Sequence, residues 1–173
     1  MSIIVTGGAG FIGSCVLRAL NDAGYHDIIV VDNIGCTEKW RNLVNKKYIE
    51  YINRENFLPR LHEFSGKVSH VIHLGSHSAT TEKDFDFLIQ NNLNFTEELW
   101  RFCARERISF IYASSAATYG DGENGFDDKT DIAALRPLNG YGYTKQLFDI
   151  WTERQAEKPA QYCVFKFFNV YGP

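Results

Sequence analysis

Along the chain, short apolar runs alternate with stretches whose apolar positions recur every three or four residues. Runs rich in Val, Ile, Phe and Tyr, bounded by turn residues, predict strands over residues 2–6, 27–32, 47–52, 68–74, 108–113 and 161–167. They are almost continuously apolar, the pattern expected when both faces of a parallel sheet are covered by helices. Helical spacing predicts helices over 10–23, ended by Gly24, and over 55–64, 85–107 and 141–156. In the long third helix Phe87, Leu88, Leu93, Phe95, Leu99 and Phe102 form a stripe expected to be buried. Asn91 and Asn92 interrupt it. Asparagine is a weak helix former, so the pair predicts a polar contact to a ligand or to neighbouring backbone. The glycine- and carboxylate-rich segment 120–137 reads as an exposed loop. With no repeat, linker or low-complexity tract, the order of elements predicts one α/β domain: a doubly wound parallel sheet of six strands with helices on both faces.

Thr6-Gly7-Gly8-Ala9-Gly10-Phe11-Ile12-Gly13 follows the first strand and opens the first helix. Glycine there lets the chain turn sharply and lets backbone N–H groups approach a pyrophosphate, at a helix end carrying about half a positive charge. Gly13, one turn in, permits close packing of helix on strand. A plain tight turn would not need three spaced glycines, so the arrangement is read as Rossmann-type. Asp32 closes the second strand about 20 residues later, where a carboxylate can bind adenosine ribose hydroxyls. By itself it favours NAD, because a 2′-phosphate would meet a negative charge. Lys39, Arg41, Lys46, Lys47 and Arg54 follow it. Lys39 or Arg54 can pair a 2′-phosphate, the alternative being a solvated basic surface. These residues alone leave NAD and NADP open.

Tyr141 and Lys145 stand four apart at the start of a predicted helix and therefore share a face. A free tyrosine is only ~0.1% ionised at neutral pH, and lowering its pKa by about three units takes roughly 4 kcal/mol. An adjacent ammonium and an oxidised nicotinamide are expected to supply that, making Tyr141 a proton acceptor and Lys145 its tuner. Tyr143, between them, points elsewhere. Ser114 and Ser115 close the fifth strand at its carboxyl end, where open α/β sheets bind ligands, and a hydroxyl there can hold a reacting alcohol or ketone. Serines that merely end a strand are the alternative. His70, His73 and His77 invite a metal reading, but two lie in or beside a strand, and ordinary core or loop histidines with no metal are expected.

Composition adds exclusions. The chain has 173 residues, 45% hydrophobic and 23% charged, ordinary for one globular domain. A net charge of −3 leaves no electrostatic footprint for nucleic acid or an anionic membrane. No apolar run approaches a membrane span, and the N-terminus lacks the pattern of a signal peptide. Cys15, Cys36, Cys103 and Cys163 lack C-x-x-C spacing and read as reduced thiols of a cytoplasmic protein.

Taken together, TGGAGFIG, the strand-end Asp32, Tyr141 with Lys145, and Phe168-Asn169-Val170-Tyr171-Gly172-Pro173 resemble the extended short-chain dehydrogenase/reductase group of nucleotide-sugar enzymes, the NAD-dependent epimerase/dehydratase superfamily. Within it, His73-Leu74-Gly75, Ala79-Thr80-Thr81-Glu82 and Tyr112-Ala113-Ser114-Ser115-Ala116-Ala117-Thr118-Tyr119-Gly120 resemble the ADP-L-glycero-D-manno-heptose 6-epimerase family. The resemblance implies a tightly held NADP that takes a hydride from C6″ of the heptose and returns it to the opposite face, in making a lipopolysaccharide precursor. It makes Tyr141 the catalytic base, Lys145 a cofactor contact and Ser115 the hydroxyl partner of the substrate. Gly7, Gly10, Phe11, Ile12 and Gly13 would hold the cofactor, with Asp32, Asn33, Lys39 and Arg54 at its adenosine end. Leu74, Gly75, Ser76, His77 and Ser78 would line it, Asn91 and Val170 would touch it, and Asn169 would face the nucleotide sugar. Lys39 and Arg54 match basic positions that the family places on NADP, which favours NADP over NAD.

Dehydratase relatives carry an Asp-Glu pair after the strand-end hydroxyl; Ala116 and Ala117 stand there instead, against dehydration. Another NAD(P)-dependent sugar epimerase or a reductase remains an alternative, as does a cofactor-binding module without catalysis. In the family a substrate domain follows the Tyr-Gly-Pro motif. The chain is accordingly expected to be the N-terminal dinucleotide-binding domain, inactive alone, of an enzyme that is a homo-oligomer at full length.

Overall fold

In the computed structural model, which describes residues 1–172, every apolar run contributes a strand. These are β1 (Ser2–Thr6), β2 (Ile28–Asp32), β3 (Glu50–Asn53), β4 (Val68–His73), β5 (Ser109–Ser115) and β6 (Tyr162–Phe167). The order in the sheet is β3-β2-β1-β4-β5-β6. Registers are parallel, with Val5 opposite both Val30 and Ile72. Successive strands step outward from β1 to β3, and the chain then returns to place β4 on the other side of β1. The carboxyl ends of β1 and β4 therefore flank the point where the winding reverses, the crevice in which open α/β sheets bind ligands.

Two compact units divide the chain: Met1–Gly75 with Trp100–Tyr112 and Lys158–Cys163, and Ser76–Leu99 with Ala113–Glu157 and the residues from Val164 onward. In the first, Ile3, Val5, Ile28 and Val30 pack with Leu17 of α1 (Phe11–Asp22) and with Leu43. The alternate positions Ile4, Ile29, Val31 and Val71 are buried too, so both faces of these strands are covered. Burying a side chain such as Leu17 contributes about 1.5–3 kcal/mol. Strand β6, at an edge of the sheet, departs from the expectation: Tyr162 and Phe165 are exposed.

Three helical segments also differ from their expected form. Residues 55–64 split into a single turn, α2 (Arg54–Phe57), and a 3-10 stretch, Leu58–Phe64, where Pro59 lacks the N–H that a continuous α-helix needs. The long helix divides into α3 (Phe85–Leu88), a π-helical turn (Ile89–Asn94) and α4 (Phe95–Arg105). Of the expected stripe Leu88, Phe95, Leu99 and Phe102 are buried and Leu93 half-buried, whereas Phe87 is exposed; Asn92, Thr96 and Trp100 are buried as well. Within 120–137, Ile132–Ala134 forms a 3-10 turn. Helix α5 (Gly140–Glu153) follows. Among the described residues no helix is long and apolar enough to cross a membrane. Pro173, last letter of the closing motif, lies outside the described residues.

Candidate functional site

In the first unit the glycine turn leaves β1 and enters α1 in a conformation only glycine permits at two points. Gly7 has φ +70°, and a Cβ there would lie 2.7 Å from the Gly75 amide nitrogen. A Cβ on Gly13 would lie 2.0 Å from the Gly7 carbonyl oxygen. The N-cap of α1 is Gly10, which has no side chain to cap the helix, and the first turn carries no acidic residue. The helix end therefore offers its amides to an external anion. The turn is braced from two sides: the Ala9 amide donates to Asp32 Oδ2 at 2.8 Å, and Asn42 Nδ2 donates to the Ala9 carbonyl at 2.8 Å. Leu74 and Gly75 face it, where the Gly75 amide donates to Thr6 Oγ1 at 3.1 Å and Thr6 Oγ1 lies 2.5 Å from His73 Nδ1. The cradle fits a pyrophosphate.

Asp32 is buried at the end of β2, and its Oδ1 accepts from the Asn33 amide at 2.7 Å and from Lys39 Nζ at 2.8 Å. Lys39 thus neutralises the carboxylate that was expected to repel a 2′-phosphate. Arg54 begins α2 directly after Asn53, the residue in register with Asp32 on the adjacent strand. Burial pulls the Arg54 guanidinium below its ordinary pKa, with Glu55 acting in the opposite direction. Lys39 thus pairs with the strand-end carboxylate, and Arg54 follows the residue in register with it.

The second unit holds Ser115, Tyr141 and Lys145, the residues expected to form an acid–base group. Ser115 ends β5 and accepts from the Ala117 amide at 3.1 Å, which leaves its hydroxyl proton to donate. Asn139 caps α5 by accepting from the Gly142 amide at 2.8 Å, setting the first turn of the helix that carries Tyr141 and Lys145. Lys145 Nζ lies 5.8 Å from the Tyr141 ring centroid and donates to the Ala113 carbonyl at 2.8 Å. Tyr143 turns away and stacks on Phe85 at 5.8 Å. Burial raises the Tyr141 pKa, and a hydrogen bond with Ser115 opposes that rise. The lowering was expected from Lys145 together with an oxidised nicotinamide; in the chain by itself burial sets the direction. Burial pulls Lys145 itself down to about 7, with Asp149 acting in the opposite direction.

Asn92 and three residues beyond the sequence expectations, Thr144, Asp149 and Lys166, organise this unit. Asn92, in the π-helical turn, accepts from the His77 amide at 2.8 Å and donates to the His77 carbonyl at 3.0 Å. It also donates to Thr144 Oγ1 at 3.2 Å, while Thr144 donates to the Tyr141 carbonyl at 2.8 Å. The polar contact expected of the asparagine pair is thus made to backbone by Asn92, and Asn91 donates to Asn92 Oδ1 at 2.8 Å. The Ser76 hydroxyl beside this loop is buried, with no hydrogen-bond partner among the described residues. Asp149 accepts from Ser114 Oγ at 2.9 Å and from Lys166 Nζ at 2.6 Å. Two signals were present for that pair: Asp149 lies four residues after Lys145, and Lys166 interrupts an apolar strand. Asn169 and Val170 are exposed after β6.

The histidines are dispersed. His73 is buried and stacked on Tyr112, His70 is exposed, and His77 Nε2 lies 3.4 Å from Glu82. The four cysteines are free, and burial pushes the Cys103 thiol pKa up.

Residues 3–173 match the NAD dependent epimerase/dehydratase family. The ADP-L-glycero-D-manno-heptose-6-epimerase of Nitratidesulfovibrio vulgaris is 52% identical over 173 residues, covering 98% of this chain and 53% of the relative. The chain thus spans about half the length of the curated relatives it matches. The Helicobacter pylori ADP-L-glycero-D-manno-heptose-6-epimerase superposes with a TM-score of 0.82 at 23% identity, over 99% of this chain and 56% of that one, a likeness of fold. UDP-glucuronic acid 4-epimerase from Bacillus cereus, solved in complex with NAD, gives a TM-score of 0.80 at 28% identity, over 100% and 58%.

Proposed function

Because the chain belongs to the NAD dependent epimerase/dehydratase family, we propose that it is the dinucleotide-binding part of a cytoplasmic epimerase converting ADP-D-glycero-D-manno-heptose to its L-glycero isomer, with NADP held as cofactor. What carries the reading is the match to the curated 6-epimerase across nearly the whole chain. The grouping of Ser115, Tyr141 and Lys145 in one unit supports it. The product would serve lipopolysaccharide synthesis, and the full-length enzyme would be a homo-oligomer.

When bound, the nicotinamide supplies a hydride acceptor at C6″ and a donor to the opposite face. The rest of the work falls to the chain. Backbone amides of Gly10, Phe11, Ile12 and Gly13 bind the pyrophosphate at the mouth of α1. Asp32 and Asn33 hold the adenosine ribose, and Lys39 with Arg54 supplies the positive charge that a 2′-phosphate requires, which is the basis for preferring NADP over NAD. Leu74, Gly75, Ser76, His77 and Ser78 line the cofactor, with Asn91 and Val170 as further contacts. Ser115 orients the sugar hydroxyl, Tyr141 takes its proton, and Lys145 sets the charge beside the phenol. Asn169 faces the nucleotide sugar. Substrate-selecting groups come from the additional length of the relatives, so the chain alone binds dinucleotide without epimerising.

Two measurements test this. Nucleotide extracted from the purified chain and identified by mass should be NADP; recovery of NAD alone overturns the cofactor assignment. The full-length enzyme should interconvert the two heptoses with no net change in reduced-nicotinamide absorbance. Stoichiometric consumption of the reduced cofactor would make it a reductase instead.

A further inference from the structure

Lys166, on β6, spends its ammonium inside the second unit. Its side chain is only 15% exposed, and Nζ donates to Asp149 Oδ2 at 2.6 Å and to Thr118 Oγ1 at 3.0 Å, with the Tyr119 ring centroid 5.6 Å away. An ammonium has three donors, so two hydrogen bonds and one aromatic ring occupy it. Such a lysine is not the free cation that a phosphate would recruit. Both hydrogen bonds lead to the end of β5. Asp149 Oδ2 also accepts from Ser114 Oγ at 2.9 Å, and Thr118 Oγ1 donates its own proton to the Ser115 carbonyl at 2.8 Å. Ser115 is therefore tied through its carbonyl and through the side chain before it, and both ties converge on one cation.

We propose that Lys166 is a positioning residue for Ser115: by gripping Asp149 on α5 and Thr118 beyond β5 at once, it fixes where the Ser115 hydroxyl stands relative to Tyr141.

Each tie has a defined target. Asp149 lies on α5, the helix that also carries Tyr141, and the Ser114 hydroxyl bound to it pins the end of β5 to that helix. Ser115 is the N-cap of the following 3-10 turn, accepting from the Ala117 amide at 3.1 Å, and Thr118 in that turn donates back to the Ser115 carbonyl. Thr118 and Asp149 are buried, so water competes little for these hydrogen bonds. The charge of Lys166 matters as well as its reach. A buried carboxylate needs a cation, and charge-assisted hydrogen bonds are about twice as strong as neutral ones. The Ser115 and Tyr141 hydroxyls are themselves hydrogen-bonded. A shift at the end of β5 therefore disturbs the pair that would meet the substrate hydroxyl. This inference rests on the proposed function for the task of Ser115; the ties themselves belong to the folded chain.

The Ala117 amide, which donates to Ser115 Oγ, reports where that hydroxyl stands. In the 173-residue chain its hydrogen exchange, followed by NMR, should speed up about tenfold in Lys166→Met and in Thr118→Val, the worth of one hydrogen bond. Lys166→Arg keeps the cation and its donors and should restore the parental rate, while amides of β1 and β2 keep theirs throughout. Unchanged Ala117 exchange, or acceleration spread evenly over both units, overturns the proposal. In the full-length enzyme Lys166→Met should lower kcat about 10–10²-fold, with KM and bound dinucleotide unchanged. In a Ser115→Ala background the same substitution should cost almost nothing more; losses that multiply there mean that Lys166 acts elsewhere, and overturn it. Should Lys166→Met fail to fold, Thr118→Val, which leaves the Lys166–Asp149 pair intact, decides by the same two readouts. Absence of heptose epimerisation in the parental enzyme would defeat the proposed function alone, and Ala117 exchange would still decide this inference.

Discussion

At the scale of single residues, sterics and burial decide most. Gly13 has no room for a methyl group, since its Cβ would lie 2.0 Å from the Gly7 carbonyl oxygen. Gly13→Ala should cost about 1–3 kcal/mol in urea unfolding and abolish dinucleotide binding, because relief requires moving the turn itself. Tyr141→Phe should lower turnover of the full-length enzyme about 10²–10⁴-fold while leaving dinucleotide affinity nearly unchanged in a titration, since only the proton-transfer step loses its acceptor. Lys145 has a pH signature in stability. Its amine is pulled from 10.5 to about 7 in the folded chain, so the unfolded chain binds more protons between those values. The burial penalty is therefore full below about 7 and fades as pH rises through that window. Lys145→Met should raise the urea midpoint near neutral pH, with a gain that shrinks steadily on the alkaline side.

Among the elements, the π-helical turn Ile89–Asn94 is the most consequential departure from regular geometry. It turns Asn92 inward, where one amide satisfies both backbone groups of His77 and reaches Thr144 on α5. Asn92→Ala should strand those part-buried groups at about 1 kcal/mol each. Hydrogen exchange should then speed up at residues 76–78 and 141–144 and stay at the parental rate in β1 and β2. Uniform acceleration would mean that the turn only contributes to overall stability. The sequence marked this place through two asparagines in an otherwise helical stretch. The turn type was not legible, because apolar spacing alone does not register one inserted residue per turn. Pro59 was equally visible, yet the 3-10 winding it imposes emerges only when Phe57 and Phe64 both bury and their rings meet at 5.9 Å.

For the whole molecule, the reading has a direct consequence: the 173-residue chain should bind NADP in a calorimetric titration and show no heptose epimerisation. Epimerisation by this polypeptide would place the substrate-selecting groups within it. The strands, their parallel order and the glycine turn were legible from sequence because each rests on local pattern: apolar runs that must be covered on both sides, and glycines where no side chain fits. The strand-end Asp32 and the Tyr141–Lys145 spacing were legible for the same reason. Tertiary structure alone decided which charges meet. Lys39 lies on Asp32, and Asp149 joins Lys166 across 17 residues of sequence. It also decided that Lys145 is buried, which pulls its pKa far below the ordinary lysine value. Electrostatic energies depend on distance and on exclusion of water, and neither quantity exists along a chain until its distant segments have packed.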